Sequence, residues 1–291
     1  MRILIVGAGI SGLSMAIALE KSGFEFRIIE KSSSLSFDGA GIALPFNAVD
    51  ALEFLGLKDD LLKIAHTVNS ITYSLPTGEK LSTAILSEHF PENKKFVSIH
   101  RKDLILLLAS KLKTKIEFSK QISDIEADDN VSRVKFVNKS AVSSSLSDDE
   151  YSEFDFVIGA DGIHSHLRSH FFQSEQKEDL GNSTWRFVAN FMQAEPEYFF
   201  GKKSAFMIYP LSNTQVYCYA HVHDPKKEAR STISYMSQVF GEYPSKVNWL
   251  IQSANQKDII FGRLLTLVKP TLSKSNVVFI GDAAHACSPM L

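Results

Sequence analysis

The chain has 291 residues, room for one large domain or two ordinary ones. Hydrophobic residues make up 44% and charged residues 22%, which sets aside the disordered, collagenous and coiled-coil classes. Lys+Arg total 31 against 33 Asp+Glu, a formal net charge of -2, so there is no basic footprint for a nucleic-acid backbone or an anionic membrane surface, and nucleic acid is not an expected partner.

Two cysteines, Cys218 and Cys287, cannot build a disulfide framework and lack the paired spacing of a metal site. The apolar N-terminal run breaks at Gly7 and the run LILLLA at 104–109 is flanked by charge. Both fall far short of the ~20 residues a membrane helix needs. The expectation is a cytoplasmic protein without a membrane span.

In chain order, residues 2–6 read as a short buried strand and 11–22 as a helix carrying Leu13, Ile17 and Leu19, with Gly23 in the place of a C′ residue. Residues 24–30 return as a strand. A Gly-rich turn at Gly39 and Gly41 precedes a helix over 47–55, N-capped by Asn47 and ended by Gly56. Residues 69–83 read as a hairpin around Pro76-Thr77-Gly78, a departure from helix-strand alternation into antiparallel sheet. Then come a strand at 97–100 and a helix over 101–113 burying Leu104, Leu107, Leu108 and Leu112. Short strands follow near 115–118, 122–127 and 131–137, with a Ser-rich exposed loop at 138–150. An apolar strand at 154–158 runs into Gly159-Ala160-Asp161-Gly162, followed by a helix over 164–171. Between 183 and 223 lie three strands rich in aromatic and β-branched residues. Helices near 231–240 and 245–252 precede a last strand, 277–280, which ends at Gly281-Asp282.

Gly7-Ala8-Gly9-Ile10-Ser11-Gly12 is a G-x-G-x-x-G set between a strand and a helix, with Glu30 at the end of the next strand. Gly7 permits the tight turn, Gly9 lets the backbone approach a pyrophosphate, and Gly12 allows close packing. The pyrophosphate then sits at the helix N-terminus and Glu30 can accept from ribose hydroxyls. The fingerprint predicts a bound dinucleotide and leaves open whether it is nicotinamide or flavin. Two further strands end in a Gly/Asp pair, one at Asp161-Gly162 with Ser165 and Arg168, the other at Gly281-Asp282. Carboxylates there line the crevice in which α/β sheets hold ligands.

Together these segments resemble the class A flavoprotein aromatic monooxygenases, in their salicylate hydroxylase-like branch. Arg101 in HRKDL, the Gly41-Ile42-Ala43-Leu44-Pro45-Phe46-Asn47 turn, Trp185-Arg186 and the segment 206–211 are similar to further motifs of that family. The resemblance implies an α/β fold with a Rossmann-type FAD-binding domain and an interleaved antiparallel-sheet substrate domain, like p-hydroxybenzoate hydroxylase. Residues 1–67, 97–178 and 273–291 would form the first, and 68–96 and 179–272 the second. It implies FAD held by Gly7, Gly9, Ile10, Ser11, Gly12, Glu30, Lys31, Gly41, Ile42, Arg101, Asp161, Gly281 and Asp282. Glu30 would bind the adenosine ribose, Arg101 the pyrophosphate region and Asp282 the ribityl chain, while Asp161 would bridge the flavin side and the entering NAD(P)H. The implied reaction uses NAD(P)H and dioxygen to hydroxylate a small aromatic or heteroaromatic substrate through a flavin hydroperoxide.

In the family a G-Q-G turn and a long helix follow the Gly-Asp segment, whereas here the sequence stops at Leu291. The alternative expectation is therefore a C-terminally truncated, inactive FAD-binding fragment. Substrate-side catalysis is open among Arg186, Tyr209, Tyr217 and His221; Tyr219, Phe191 and Phe206 are read as core or pocket-lining aromatics. His164, His166 and His170, like His221 and His223, lack a third ligand at metal-binding spacing.

Overall fold

The computed structural model describes residues 1–36, 40–138, 151–171, 177–192, 194–269 and 272–288. The chain divides into two compact units, one comprising Met1–Phe37, Ile105–Glu178 and Leu265–Leu291, the other Asp38–Leu104 and Asp179–Leu264. This division rests on packing rather than on which ligand a segment holds. It groups 38–67 and 97–104 with the second unit and 265–272 with the first.

The first unit is built on a six-stranded sheet in the order Ser273–Lys274, Val277–Phe279, Phe156–Gly159, Ile3–Val6, Phe26–Ile29, Ile116–Glu117. All neighbours pair in parallel except the Ser273–Lys274 edge. The central strands are short and almost wholly apolar, as strands buried on both faces must be; Leu4, Ile5 and Ile28 have no exposure. The helix Ile10–Lys21 follows the first strand and buries Leu13, Ala16 and Ile17. It closes with the amide of Gly23 donating to Glu20 O and that of Phe24 to Leu19 O, a Schellman motif that the positive φ of Gly23, 75°, makes possible.

A three-stranded antiparallel sheet, Lys120–Ala127, Ser132–Asn138 and Ser152–Phe154, shares a core with the parallel sheet. Ile125, Val134, Phe136 and Phe154 pack with Leu4, Val157 and Phe279 there. Buried Asn276 ties these parts together, donating to Asp155 O at 2.9 Å and accepting from Ser132 Oγ at 2.6 Å.

Several expectations need correction. The strand expected at 154–158 is two strands in different sheets, Ser152–Phe154 and Phe156–Gly159, separated at Asp155, whose amide donates to Arg2 O. A continuous apolar run does not reveal a change of sheet. The turn expected at Gly41 is a strand, Gly41–Leu44. The next helix is Phe46–Phe54, N-capped by Pro45 rather than Asn47, because the φ of −66° at Pro45 is preset for a helix start and its missing N–H costs nothing there. The helix Lys58–Ile64 and the strands Glu197–Phe200 and Ile260–Leu267 carry patterns too short or irregular to announce themselves. Of the loop read at 138–150, Asn138 ends a strand and the rest lies outside the described residues, as do Gly39 and Leu291.

The second unit carries a seven-stranded sheet in the order Ile260–Leu267, Lys177–Asn190, Gln215–His223, Ser204–Pro210, Glu197–Phe200, Ser70–Ser74, Lys80–Ile85. One face bears Trp185, Phe187, Phe206, Ile208 and Cys218, packed on Met236, Leu250 and Ile251 from the helices Ile233–Val239 and Ser245–Ser253. Toward one end of the other face Tyr209 and Tyr217 pack with Val68 and Phe96 of a small sheet, Gly41–Leu44, Phe96–His100 and His66–Val68. Among the described residues no helix is long and apolar enough to cross a membrane.

Candidate functional site

Three strands that are distant in sequence, Ile3–Val6, Phe156–Gly159 and Val277–Phe279, are neighbours in parallel register. Their C-terminal ends therefore deliver the fingerprint, the Asp161-Gly162 segment and the Gly281-Asp282 segment to one edge of the sheet. The contacts are close. A β-carbon on Gly7, whose φ is 105°, would stand 2.5 Å from Ala160 O, and one on Gly12 would stand 1.9 Å from Gly7 O. One on Gly281, with φ 57°, would stand 2.1 Å from Ser11 Oγ.

Gly9 differs from these three, because nothing lies within 4 Å of the β-carbon it lacks. Protein packing does not require glycine there, and its bare backbone stands open. The helix behind Gly9 has no side-chain cap and no acidic residue in its first turn.

Glu30 is held by two backbone donors: Ala8 N–H reaches Oε2 at 2.9 Å and Ser32 N–H reaches Oε1 at 2.9 Å. Each carboxylate oxygen keeps a second lone pair for a hydroxyl. Asp161 spends Oδ2 on the amides of His166 and Leu167 at the start of the helix His166–Phe171, while its buried Oδ1 has no partner among the described residues. A buried carboxylate oxygen without a partner fits a ligand bearing hydroxyl or N–H donors. Asp282 is exposed at the start of the helix Asp282–His285, and Lys31 is exposed. Arg168, 3% exposed, donates from Nη1 to Ala283 O at 2.7 Å and from Nη2 to Ile163 O, so one guanidinium joins both Gly/Asp segments. Burial lowers its pKa.

Gly41, Ile42 and Arg101 lie together in the second unit. Gly41 pairs with His100, and the Arg101 amide donates to Ala40 O. A β-carbon on Gly41 would meet the Tyr217 ring at 2.6 Å.

The substrate-side candidates share one face of the seven-stranded sheet. Tyr217, Tyr219 and His221 alternate along their strand, Arg186 is in register with Tyr219, and Tyr209 with Tyr217. Tyr209 is stacked on Phe96 at 6.2 Å and sits edge-on to Tyr198 at 5.5 Å. Burial raises the pKa of Tyr209 and Tyr217 and lowers that of His221. Tyr219, a packing or pocket aromatic by sequence, belongs to this row; the period-2 spacing with Tyr217 and His221 is the signal that identifies it. Among the described residues no group of three His, Cys, Asp or Glu is placed to hold a metal.

A family model described as FAD binding domain matches residues 1–291. The chain is 27% identical to 3-amino-4-hydroxybenzoate 2-monooxygenase of Streptomyces cremeus, covering 100% of this chain and 74% of that one. It is 28% identical to 6-hydroxynicotinate 3-monooxygenase of Bordetella bronchiseptica over 64% of this chain and 47% of that one. Among solved structures, Klebsiella pneumoniae HpxO complexed with FAD and uric acid superposes with a TM-score of 0.86 at 23% identity, covering 99% of this chain and 74% of that one, a likeness of fold.

Proposed function

The chain belongs to the FAD binding domain family, and from that membership we propose that it is an FAD-dependent monooxygenase that hydroxylates a small aromatic or heteroaromatic compound at the expense of NAD(P)H and dioxygen. The observation that carries the reading is the cradle at the sheet edge, where three motifs meet around bare backbone at Gly9 and an unpartnered Asp161 Oδ1.

FAD, when bound, supplies the redox chemistry, taking electrons from the nicotinamide and delivering them to oxygen. The protein residues do the rest. The Ile10–Lys21 helix start would receive the pyrophosphate, and Glu30, held by the Ala8 and Ser32 amides, would accept from the ribose. Asp161 Oδ1, which has no partner among the described residues, would accept from the cofactor, and Ser11 and Asp282, on either side of the Ser11–Gly281 contact, would help hold it. Lys31, Gly41, Ile42 and Arg101 complete the proposed set of cofactor-binding residues. The face of the seven-stranded sheet that carries Arg186, Tyr209, Tyr217 and His221 would orient the ring to be hydroxylated. We place the reaction in the cytoplasm, where NAD(P)H is regenerated.

Titration with FAD, followed by oxygen uptake and NAD(P)H consumption with a panel of hydroxylated benzoates and pyridines, tests this. The expected result is a yellow complex whose substrate-dependent turnover puts one atom of labelled dioxygen into the product. A chain that fails to bind FAD overturns the reading.

A further inference from the structure

The strand Phe96–His100 is the central strand of the small sheet, between Gly41–Leu44 and His66–Val68. Its alternate residues Phe96, Ser98 and His100 share one face, and each meets the hairpin formed by Ser204–Pro210 and Gln215–His223. Phe96 stacks on Tyr209, buried Ser98 donates from Oγ to Pro210 O, and His100 Nε2 lies 3.2 Å from Gln215 Oε1. Gln215 Nε2 donates to Asn190 Oδ1 at 3.4 Å, which leaves Oε1 as the acceptor and puts the proton of the other bond on His100 Nε2.

Both ends of these links lie beside proposed site residues. On the hairpin, Gln215 O accepts from the amides of Leu211 and Ser212 at 2.8 and 3.2 Å, so backbone bonds close the turn that presents the Gln215 side chain. Tyr209 directly precedes Pro210, and Tyr217 lies two residues after Gln215. On the strand, His100 is in register with Gly41 and Ile99 with Ile42, and His100 directly precedes Arg101, whose amide donates to Ala40 O at 3.4 Å. A buried serine hydroxyl needs an acceptor wherever it sits, so Ser98 alone decides little. Three successive residues of one face that land on one hairpin decide more: a stacked ring permits sliding, whereas two directional hydrogen bonds fix the strand along the hairpin.

We propose that Ser98 and His100 are positioning residues. They hold the segments carrying Gly41, Ile42 and Arg101 at a fixed distance from Tyr209 and Tyr217, and so set the spacing between cofactor and substrate ring on which oxygen transfer depends. That consequence rests on the monooxygenase reading; the pinning of strand to hairpin does not. Where the spacing is lost, the hydride of NAD(P)H and one proton reduce dioxygen to hydrogen peroxide, and no oxygen enters the ring.

Two measurements on the full chain test this, with His100→Leu and Gln215→Leu each removing the bond and His100→Gln keeping an N–H donor. In the FAD-free chain, amide hydrogen exchange over 40–44 and 97–101 is expected to quicken about tenfold or more in both leucine variants, and to stay within about threefold of the parent in His100→Gln. In the chain supplied with FAD and a substrate that turns over, product formed per NAD(P)H consumed is expected to fall about twofold or more in the leucine variants, with the difference appearing as hydrogen peroxide, and to recover in His100→Gln. Gln215→Leu alters the hairpin side of the same bond, so it reports even where His100→Leu fails to fold. Parent-like exchange in the leucine variants, or equal losses in His100→Gln and His100→Leu, overturns the pin. Quickened exchange with an unchanged product ratio overturns the positioning role. A parent chain that fails to bind FAD counts against the monooxygenase reading, and the exchange measurement still decides the pin.

Discussion

Ser11 and Gly281, from opposite ends of the chain, stand so close that a β-carbon on Gly281 would lie 2.1 Å from Ser11 Oγ and 2.9 Å from Ser11 Cβ. The second residue of the fingerprint helix thus packs directly on the turn that follows the Val277–Phe279 strand. One small rigid cradle results, its parts drawn from the beginning, middle and end of the chain.

Gly281→Ala is therefore expected to disturb the cradle twice, by displacing Ser11 and by forcing a β-carbon into a backbone of φ 57° and ψ −142°. Strain of this kind costs about 1–3 kcal/mol. The expected outcome is a lower thermal midpoint and FAD affinity reduced about tenfold or more, read by fluorescence titration.

Glu30→Gln tests the carboxylate that spans the Ala8 and Ser32 amides. An amide group has one acceptor where the carboxylate has two, so one backbone donor loses its partner and the ribose loses an anionic acceptor. With charge-assisted hydrogen bonds worth about 1.5–3 kcal/mol, FAD dissociation constants are expected to rise by about ten- to a hundredfold. An unchanged constant would remove Glu30 from the cofactor site.

Arg168 is buried and bonds two carbonyls in separate segments, Ile163 O and Ala283 O. Lysine cannot reproduce that planar fork. Both Arg168→Lys and Arg168→Met are expected to lower the urea midpoint, by about 2–4 kcal/mol in unfolding free energy, because one buried and one part-buried acceptor lose the donors of a planar fork. The same variants are expected to weaken FAD binding, since the segments that Arg168 joins carry Asp161 and Asp282.

Glu117 supplies a pH prediction. Arg27 holds its carboxylate with bonds of 2.7 and 2.8 Å, Lys120 adds another, and together they bring its pKa down from 4.5 to about 2 against the opposing effect of burial. A depressed carboxylate pKa stabilises the fold above the unfolded value, and that contribution is lost as pH falls from 4.5 towards about 2. With the side chain 31% exposed, screening reduces the effect to about 1 kcal/mol. The stability difference between the parent and Glu117→Gln is expected to be full at pH 6 and to shrink progressively below pH 4.5, measured by urea denaturation across that range.

Much of the cradle at the sheet edge is legible in the sequence because its demands are local. A tight turn needs Gly7, a close approach needs Gly12, and an acceptor at a strand end needs Glu30; each is a property of a few adjacent residues. The helix ends at Gly23 and Gly56 were legible for the same reason. The split of the 154–158 run between two sheets was not, because alternation of apolar residues is blind to which sheet receives them. Nor was the importance of Tyr219, which lies among aromatics that mostly serve packing.

The sequence by itself determined that a dinucleotide-binding β-α-β unit opens the chain, that two later strands end in Gly/Asp pairs, and that antiparallel sheet intervenes. Only the tertiary structure decided that those strands are neighbours, that Gly281 rests on Ser11, that Arg168 joins two carbonyls, and that Arg186, Tyr219 and His221 share one face with their polar atoms unpartnered. The physical reason is range. Turn geometry and helix capping are fixed within a few residues, whereas strand order, register and the satisfaction of a buried hydrogen-bonding atom depend on groups that the chain brings together only when it folds.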